Sequence, residues 1–269
     1  MPSHLDAAIE ISLAAGNLLR YHYERRIGFE LKAEFDLVTE ADKASEKLVV
    51  EKLRQYFPSH SIQAEEGTGS ETGSEYRWYV DPLDGTTNFA HGYPAWSVTM
   101  ALEKAGELIV GVVFDPSRNE LFAAEKGAGA FMNGKRIQVS KVDRLSRSLS
   151  CTGFPNNSRK GNPNIHFFYQ LAMETHGVRR GGSAAIDLAY TACGRLDAFW
   201  EIGLSPWDLA GGKLLVTEAG GTCTTMQGDV HSVNSPDVMA TNGLLHEELK
   251  ARFAEIFAGK LRQPIPTIS

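Results

Sequence analysis

Five carboxylates, Asp42, Glu65, Asp81, Asp84 and Asp208, stand where the chain is expected to pass from one element to the next. None has a His or Cys at ligand spacing, and an all-oxygen donor set selects Mg²⁺, Mn²⁺ or Ca²⁺ over zinc or copper. Two of the five fall in the stretch Trp78-Tyr79-Val80-Asp81-Pro82-Leu83-Asp84-Gly85-Thr86-Thr87-Asn88-Phe89. Trp78 to Val80 would enter a sheet and deliver Asp81 to its end, where Pro82, with no N–H to donate, stops the ladder. Gly85, Thr86 and Thr87 can then open a helix whose first N–H groups face the same point as the carboxylates. Donors suited to a phosphate beside acceptors suited to a hard cation point to metal-assisted phosphate chemistry. Two Mg²⁺ ions bridged by one aspartate meet the needs of in-line phosphoryl transfer. Without cations the clustered acids would repel one another.

Each residue taken singly also has a plainer use. Thr39 and Asp42 have capping-box spacing, Asp84 suits an Asx turn before Gly85, Thr86 and Thr87 can cap a helix, and Asp208 is a favourable charge at a helix start. Their joint appearance favours chemistry. The sequence contains no Gly-x-x-x-x-Gly-Lys-Ser/Thr phosphate loop and no Gly-x-Ser-x-Gly elbow.

The elements that must hold these groups are read from periodicity. Leu5 to Tyr23 has helical spacing, with Ser3 as a cap and Gly28 near the end. A polar loop, Lys32 to Asp42, leads to a second helix that Pro58 ends after Phe57. Ser61 to Ala64 is a short strand ending in Glu65-Glu66. Ser97 to Leu102, Leu108 to Phe114, Glu120 to Ala124, Ala130 to Met132 and Ile137 to Val139 form a run of strands, with Asn133-Gly134 as a tight hairpin turn. An antiparallel sheet in residues 1–147 follows from this. From Ser148 the pattern alternates: strand Leu149 to Gly153, helix Ile165 to His176, helix Ala184 to Cys193, strand Leu196 to Glu201, helix Trp207 to Ala219, strand Val238 to Thr241, helix Leu244 to Phe257. Ser205-Pro206 is a capped helix start that puts Asp208 in the first turn. The tail from Gln263 is expected to lie over the surface or fray. The reading is a single catalytic unit over 1–269 with an N-terminal half to 147 and a C-terminal half from 148.

Composition bounds the function. With 42% hydrophobic and 22% charged residues the 269-residue chain is an ordinary globular protein. Its net charge of −6 argues against nucleic acid as an obligate partner. The three cysteines are few and widely spaced, which suits reduced thiols rather than a disulfide framework. No apolar run is long enough to span a bilayer and the amino terminus lacks a signal pattern, so a cytoplasmic location is expected.

Asp81-Pro82-Leu83-Asp84-Gly85-Thr86-Thr87-Asn88-Phe89 resembles the signature of the inositol monophosphatase family, a Mg²⁺-dependent, lithium-sensitive phosphatase superfamily. Trp207-Asp208-Leu209-Ala210-Gly211 through Glu218-Ala219-Gly220-Gly221 resembles its second signature. Asp36-Leu37-Val38-Thr39-Glu40-Ala41-Asp42 and Glu65-Glu66 match in the family's order; Ala64 departs from the Gly that many members carry there.

The resemblance implies an α+β fold layered αβαβα, a homodimer, and hydrolysis of a phosphate monoester such as inositol 1-phosphate by metal-activated water. It implies that Glu65, Asp81 and the Leu83 carbonyl hold one Mg²⁺, that Asp81, Asp84 and Asp208 hold a second, and that a weaker third leans on Glu65; Mn²⁺ can substitute. Thr86 with Asp42 would orient and deprotonate water, with Glu65 also catalytic, and Gly85, Thr86 and Thr87 would take the phosphate. Gly182, Ser183, Ala184 and Glu201 would meet the substrate, a small phosphorylated polyol. Rival readings are another phosphatase of the superfamily, acting on fructose 1,6-bisphosphate, histidinol phosphate or a nucleotide 3′-phosphate, and a regulatory scaffold that binds RNA or protein.

Overall fold

The computed structural model describes residues 2–25, 29–33, 36–154 and 161–264. In chain order it contains α1 (His4–Glu24), β1 (Phe29–Ala33), β2 (Asp36–Thr39), α2 (Glu40–Tyr56), β3 (Ser61–Ala64), β4 (Tyr76–Asp84), α3 (Thr86–Ala90) and β5 (Ser97–Lys104). Then come β6 (Glu107–Asp115), β7 (Glu120–Glu125), β8 (Gly129–Met132), β9 (Lys135–Arg136), β10 (Leu149–Thr152), α4 (Asn164–Glu174) and β11 (Gly177–Arg179). The chain continues through α5 (Ala184–Ala192), β12 (Ala198–Ile202), α6 (Pro206–Glu218), β13 (Thr222–Thr224), β14 (Asp237–Thr241) and α7 (His246–Phe257).

Strands β3 to β9 form a seven-stranded sheet in sequence order, antiparallel except for the parallel pair β3–β4. The second sheet has the order β11-β10-β12-β14-β13 and mixes parallel and antiparallel pairs. Three cores separate five layers. α1 and α2 cover one face of the large sheet through Ile11, Leu19, Val49 and Leu53. α5 and α6 lie between the sheets, and α4 and α7 cover the far face of the small sheet through Phe167, Leu171, Leu249 and Phe253. The fold is thus α+β, layered αβαβα.

The sequence explains the middle layer. A helix with one apolar stripe can cover one sheet, whereas a helix apolar around its whole circumference must be buried on all sides. In α6 Leu209, Ala210, Gly211, Gly212, Leu214, Leu215 and Val216 are all buried. The helix comes close enough to the large sheet for backbones to touch. A Cβ on Gly111 of β6 would stand 2.7 Å from the Gly211 carbonyl, and one on Gly211 would stand 2.6 Å from Thr99 Oγ1.

Several local expectations are corrected. The strand carrying Asp81 does not stop at Pro82: β4 runs on to Asp84 through a bulge, with Asp81 opposite Thr99 and Asp84 opposite Ser97. Proline is tolerated there because the bulged residue has no ladder bond to donate. The expected loop before α2 contains the antiparallel ribbon β1–β2, with Leu31 opposite Leu37; Phe29, Leu31 and Ala33 alternate with polar residues in the first segment, and the second carries the apolar pair Leu37-Val38. Ile137 to Val139 is not a strand. Lys135 and Arg136 pair with β8, the Ile137 N–H donates to the Ala130 carbonyl of β8, and the Val139 N–H turns away to the Ala219 carbonyl at the end of α6. The short strands β11 and β13 were not expected. Of the two courses expected for the tail, Gln263 and Pro264 take the first and lie over the surface: their carbonyls accept from Gln170 and Tyr169 of α4. Gly28 and the tail beyond 264 lie outside the described residues.

Other expectations hold. Asn133 and Gly134 both have positive φ, as a tight hairpin turn requires. Thr39 and Asp42 form the reciprocal capping box at the start of α2. Replacing Gly211 with Val is expected to force α6 away from β5 and β6 at a cost of about 2 kcal/mol. A thermal melt should show a drop of about 5 °C, and an unchanged melting temperature would contradict the close contact.

Candidate active site

Four elements deliver the acidic residues to one cleft of about 430 Å³, lined by Glu65, Asp81, Asp84, Asp208 and Glu201 among others. Glu65 follows β3, and its N–H continues the parallel ladder by donating to the Val80 carbonyl. The loop after it is held by the buried Glu46 of α2, whose carboxylate accepts from the N–H groups of Glu66 (2.6 Å) and Thr68 (2.9 Å). Asp81 and Asp84 flank the β4 bulge. Within it the Leu83 N–H donates to Asp81 Oδ1 at 2.9 Å, and Ser45 of α2 anchors the Pro82 carbonyl at 2.9 Å.

The remaining acids sit at helix starts. Asp208 Oδ2 accepts from the Ser205 N–H at 2.7 Å, the capping arm of α6. Asp84 Oδ2 lies at the start of α5, accepting from the Ser183 hydroxyl (2.5 Å) and the Ala185 N–H (2.8 Å). Asp42 Oδ2 accepts from the Thr39 N–H at 2.8 Å, while Oδ1 lies 3.1 Å from the Thr86 hydroxyl. Asp42 therefore serves both readings of the sequence, as a cap with one oxygen and as a partner of Thr86 with the other. Thr86 Oγ1 is also 3.0 Å from the Leu83 carbonyl and, having one proton, donates to one acceptor at a time. Gly85 caps the short helix α3 with φ of +90°, and a Cβ there would stand 2.8 Å from the Ala95 carbonyl.

Thr87, Gly182, Ser183 and Ala184 line the same cleft. Asn88 ties α3 to this loop by donating to the carbonyls of Ala95 (2.7 Å) and Gly181 (2.9 Å). Of the residues singled out from the sequence, all but Asp42 line the cleft, and Asp42 reaches it through Thr86.

Electrostatics follow from burial. Asp81 is pushed well above the ordinary carboxylate range by desolvation and by the charges of Glu65, Asp84 and Asp208. Asp208 keeps part of its surface open to the cleft yet sits deep among protein atoms, and burial and then Asp84 raise it to about 7. Desolvation also raises Asp84, against the lowering effect of its bonds to Ser183 and Ala185. Asp42 is raised by burial, with Thr39 and Thr86 opposing.

Among the described residues no three Asp, Glu, His or Cys side chains stand ready-made around one point. The carboxyls instead crowd one another, and Glu65 and Asp208 both act on Asp81. Buried carboxyls this close require either shared protons or cations. The all-oxygen donor chemistry fits a hard divalent cation.

Sequence reasoning missed Glu46, Asp187, Arg180 and Gly153. Glu46 is an isolated acid inside a helix, with no pattern to mark it. Asp187 reads as a first-turn charge of α5, yet it is buried, lines the cleft and is raised by desolvation and by Asp84. Arg180 and Gly153 line the cleft from neighbouring loops.

Comparison with known proteins agrees with this geometry. The inositol monophosphatase family model matches residues 2–261. The protein named Nus factor SuhB of Pseudomonas aeruginosa is 43% identical over 90% of this chain and 92% of its own length. Inositol-1-monophosphatase of Synechocystis is 42% identical over 93% of this chain and 88% of its own. The solved inositol monophosphatase of Anabaena superposes with a TM-score of 0.86 at 43% identity, covering 94% of this chain and 96% of that one. With two signatures in place and the acids they contain gathered in one cleft, the chain belongs to the inositol monophosphatase family.

Proposed function

We propose that this chain hydrolyses phosphate monoesters, with inositol 1-phosphate as the preferred substrate and Mg²⁺, or Mn²⁺ in its place, as the cofactor. The carrying observation is the convergence of Glu65, Asp81, Asp84 and Asp208 on a cleft that also holds Thr86, Gly85 and Glu201. Glu65, Asp81, Asp84, Asp208 and the Leu83 carbonyl would hold the cations. A hard cation bound there supplies Lewis acidity to the phosphate and acidifies water. The Thr86 hydroxyl orients the attacking water. Asp42, made more basic by burial, accepts the proton passed through Thr86. Glu65 assists from the other side of Asp81. The N–H groups of Gly85, Thr86 and Thr87 receive the phosphate oxygens, and Gly182, Ser183, Ala184 and Glu201 contact the alcohol portion. No Ser or Cys nucleophile paired with His is required, so water attacks directly.

A cytoplasmic homodimer is part of this reading; none of the described helices is long and apolar enough to cross a membrane. The Nus factor name carried by a close relative raises a second role in binding a partner. The presence of all five acids in and beside the cleft favours catalysis.

A panel of inositol 1-phosphate, fructose 1,6-bisphosphate, histidinol phosphate and adenosine 3′,5′-bisphosphate, with and without Mg²⁺ and lithium, tests the reading by phosphate release. Fastest turnover of inositol 1-phosphate is expected, with inhibition by lithium; no Mg²⁺-dependent release from any ester would reject it. Asp81→Asn should lower kcat about 100-fold or more with the fold retained, and near-normal turnover would refute the assignment.

Stability gives a separate check. A carboxyl whose folded pKa is raised contributes stability that is full below its unfolded value, near pH 4, and is lost as pH rises through the folded value, about 7 for Asp208. Metal-free protein should therefore lose melting temperature between pH 5.5 and 8, and Mg²⁺, which binds the ionised form, should restore more at pH 8 than at pH 5.5. Equal stabilisation by Mg²⁺ at both values would contradict a carboxylate site.

A further inference from the structure

Outside the proposed cation ligands, the cleft holds a second buried carboxyl besides Glu201. Asp187, in the first turn of α5, lines the cleft and is only 5% exposed. Asp187 acts on Glu201: after desolvation, it is the largest influence raising Glu201. Arg180 offsets both acids and donates to the Phe154 carbonyl at 3.3 Å.

Two glycines show that the wall is built around these carboxyls. A Cβ on Gly153 would collide with the carboxylate of Glu201, and a Cβ on Gly181 would stand 2.6 Å from Asp187 Oδ1. Neither glycine has positive φ. Backbone conformation therefore permits a side chain at both positions, and the acids are what exclude it.

We propose that Asp187 is a specificity-determining residue, which with Glu201 forms an acceptor-rich wall that selects polyol monophosphates over bisphosphates. The inference rests on the phosphatase reading above and names its substrate class. Hydroxyl groups can donate to carboxyl oxygens, whereas a phosphate at neutral pH has little to donate. A second phosphate at this wall would leave buried acceptors without donors, and such mismatches discriminate more strongly than a missing apolar contact.

Wild type, Asp187→Asn and Gly181→Ala are compared on inositol 1-phosphate, p-nitrophenyl phosphate and fructose 1,6-bisphosphate at saturating Mg²⁺. In Asp187→Asn, KM for inositol 1-phosphate should rise about tenfold more than KM for p-nitrophenyl phosphate, which carries no hydroxyl groups. The ratio of kcat/KM for fructose 1,6-bisphosphate to that for inositol 1-phosphate should rise as well. Gly181→Ala displaces the carboxyl without removing it and should shift both quantities in the same direction. Equal changes for all three esters, or no change in KM for inositol 1-phosphate, overturns the proposal. So does melting of both variants below the assay temperature, which would make Asp187 a structural residue. Wild type inactive on all three esters would overturn the phosphatase reading itself, an outcome distinct from altered selectivity.

Discussion

The structure depends on keeping like charges together in a place with little water. Glu65, Asp84 and Asp208 raise the proton affinity of the buried Asp81, and a fold that merely buried such acids would be unstable at neutral pH. Helix starts offset part of this cost. Asp42 caps α2, Asp208 caps α6, and Asp84 lies at the first turn of α5, while α3 begins one residue beyond Asp84 with Gly85. At each start, unsatisfied N–H groups and the positive end of the helix favour negative charge. In Asp42 and Asp208 the oxygen Oδ2 accepts from the N–H of the residue three positions before it, Thr39 and Ser205.

That arrangement constrains the packing around it. α5 and α6 point their starts into the cleft from between the two sheets, and both bury most of their residues there. The glycines at 111 and 211 bring α6 onto β5 and β6, so the depth of Asp208 is set by a backbone contact just under one helical turn away. On the opposite face, α2 serves three purposes within one turn: Asp42 reaches Thr86, Ser45 holds the Pro82 carbonyl, and Glu46 holds the loop after Glu65. The cleft is therefore clamped from both faces of the large sheet.

Much of this was legible in the sequence because several rules agreed at the same residues. Ser205-Pro206 announced a helix start, Asn133-Gly134 a hairpin, and Thr39 with Asp42 a capping box, each through local chemistry. Pro82 misled because a missing N–H ends a ladder in an ordinary strand, whereas a bulge makes that loss harmless, and a bulge is a property of two strands in register. Glu46 and Asp187 stayed hidden for a related reason. Their partners, the N–H groups of Glu66 and Thr68 and the wall of Glu201, are distant in sequence, so no spacing could reveal them. Short strands such as β11 and β13 carry too few residues to show a period.

The placement of α6 also bears on how the protein is made. Glu65, Asp81 and Asp84 emerge from synthesis long before Asp208, which reaches them only when α6 slides between two sheets, the second of which closes with β14. A nascent chain holding three of the acids lacks the fourth and the enclosing layer. Under the proposed assignment a cation would be captured late, and an occupied site would report that both sheets and the helices between them are in place.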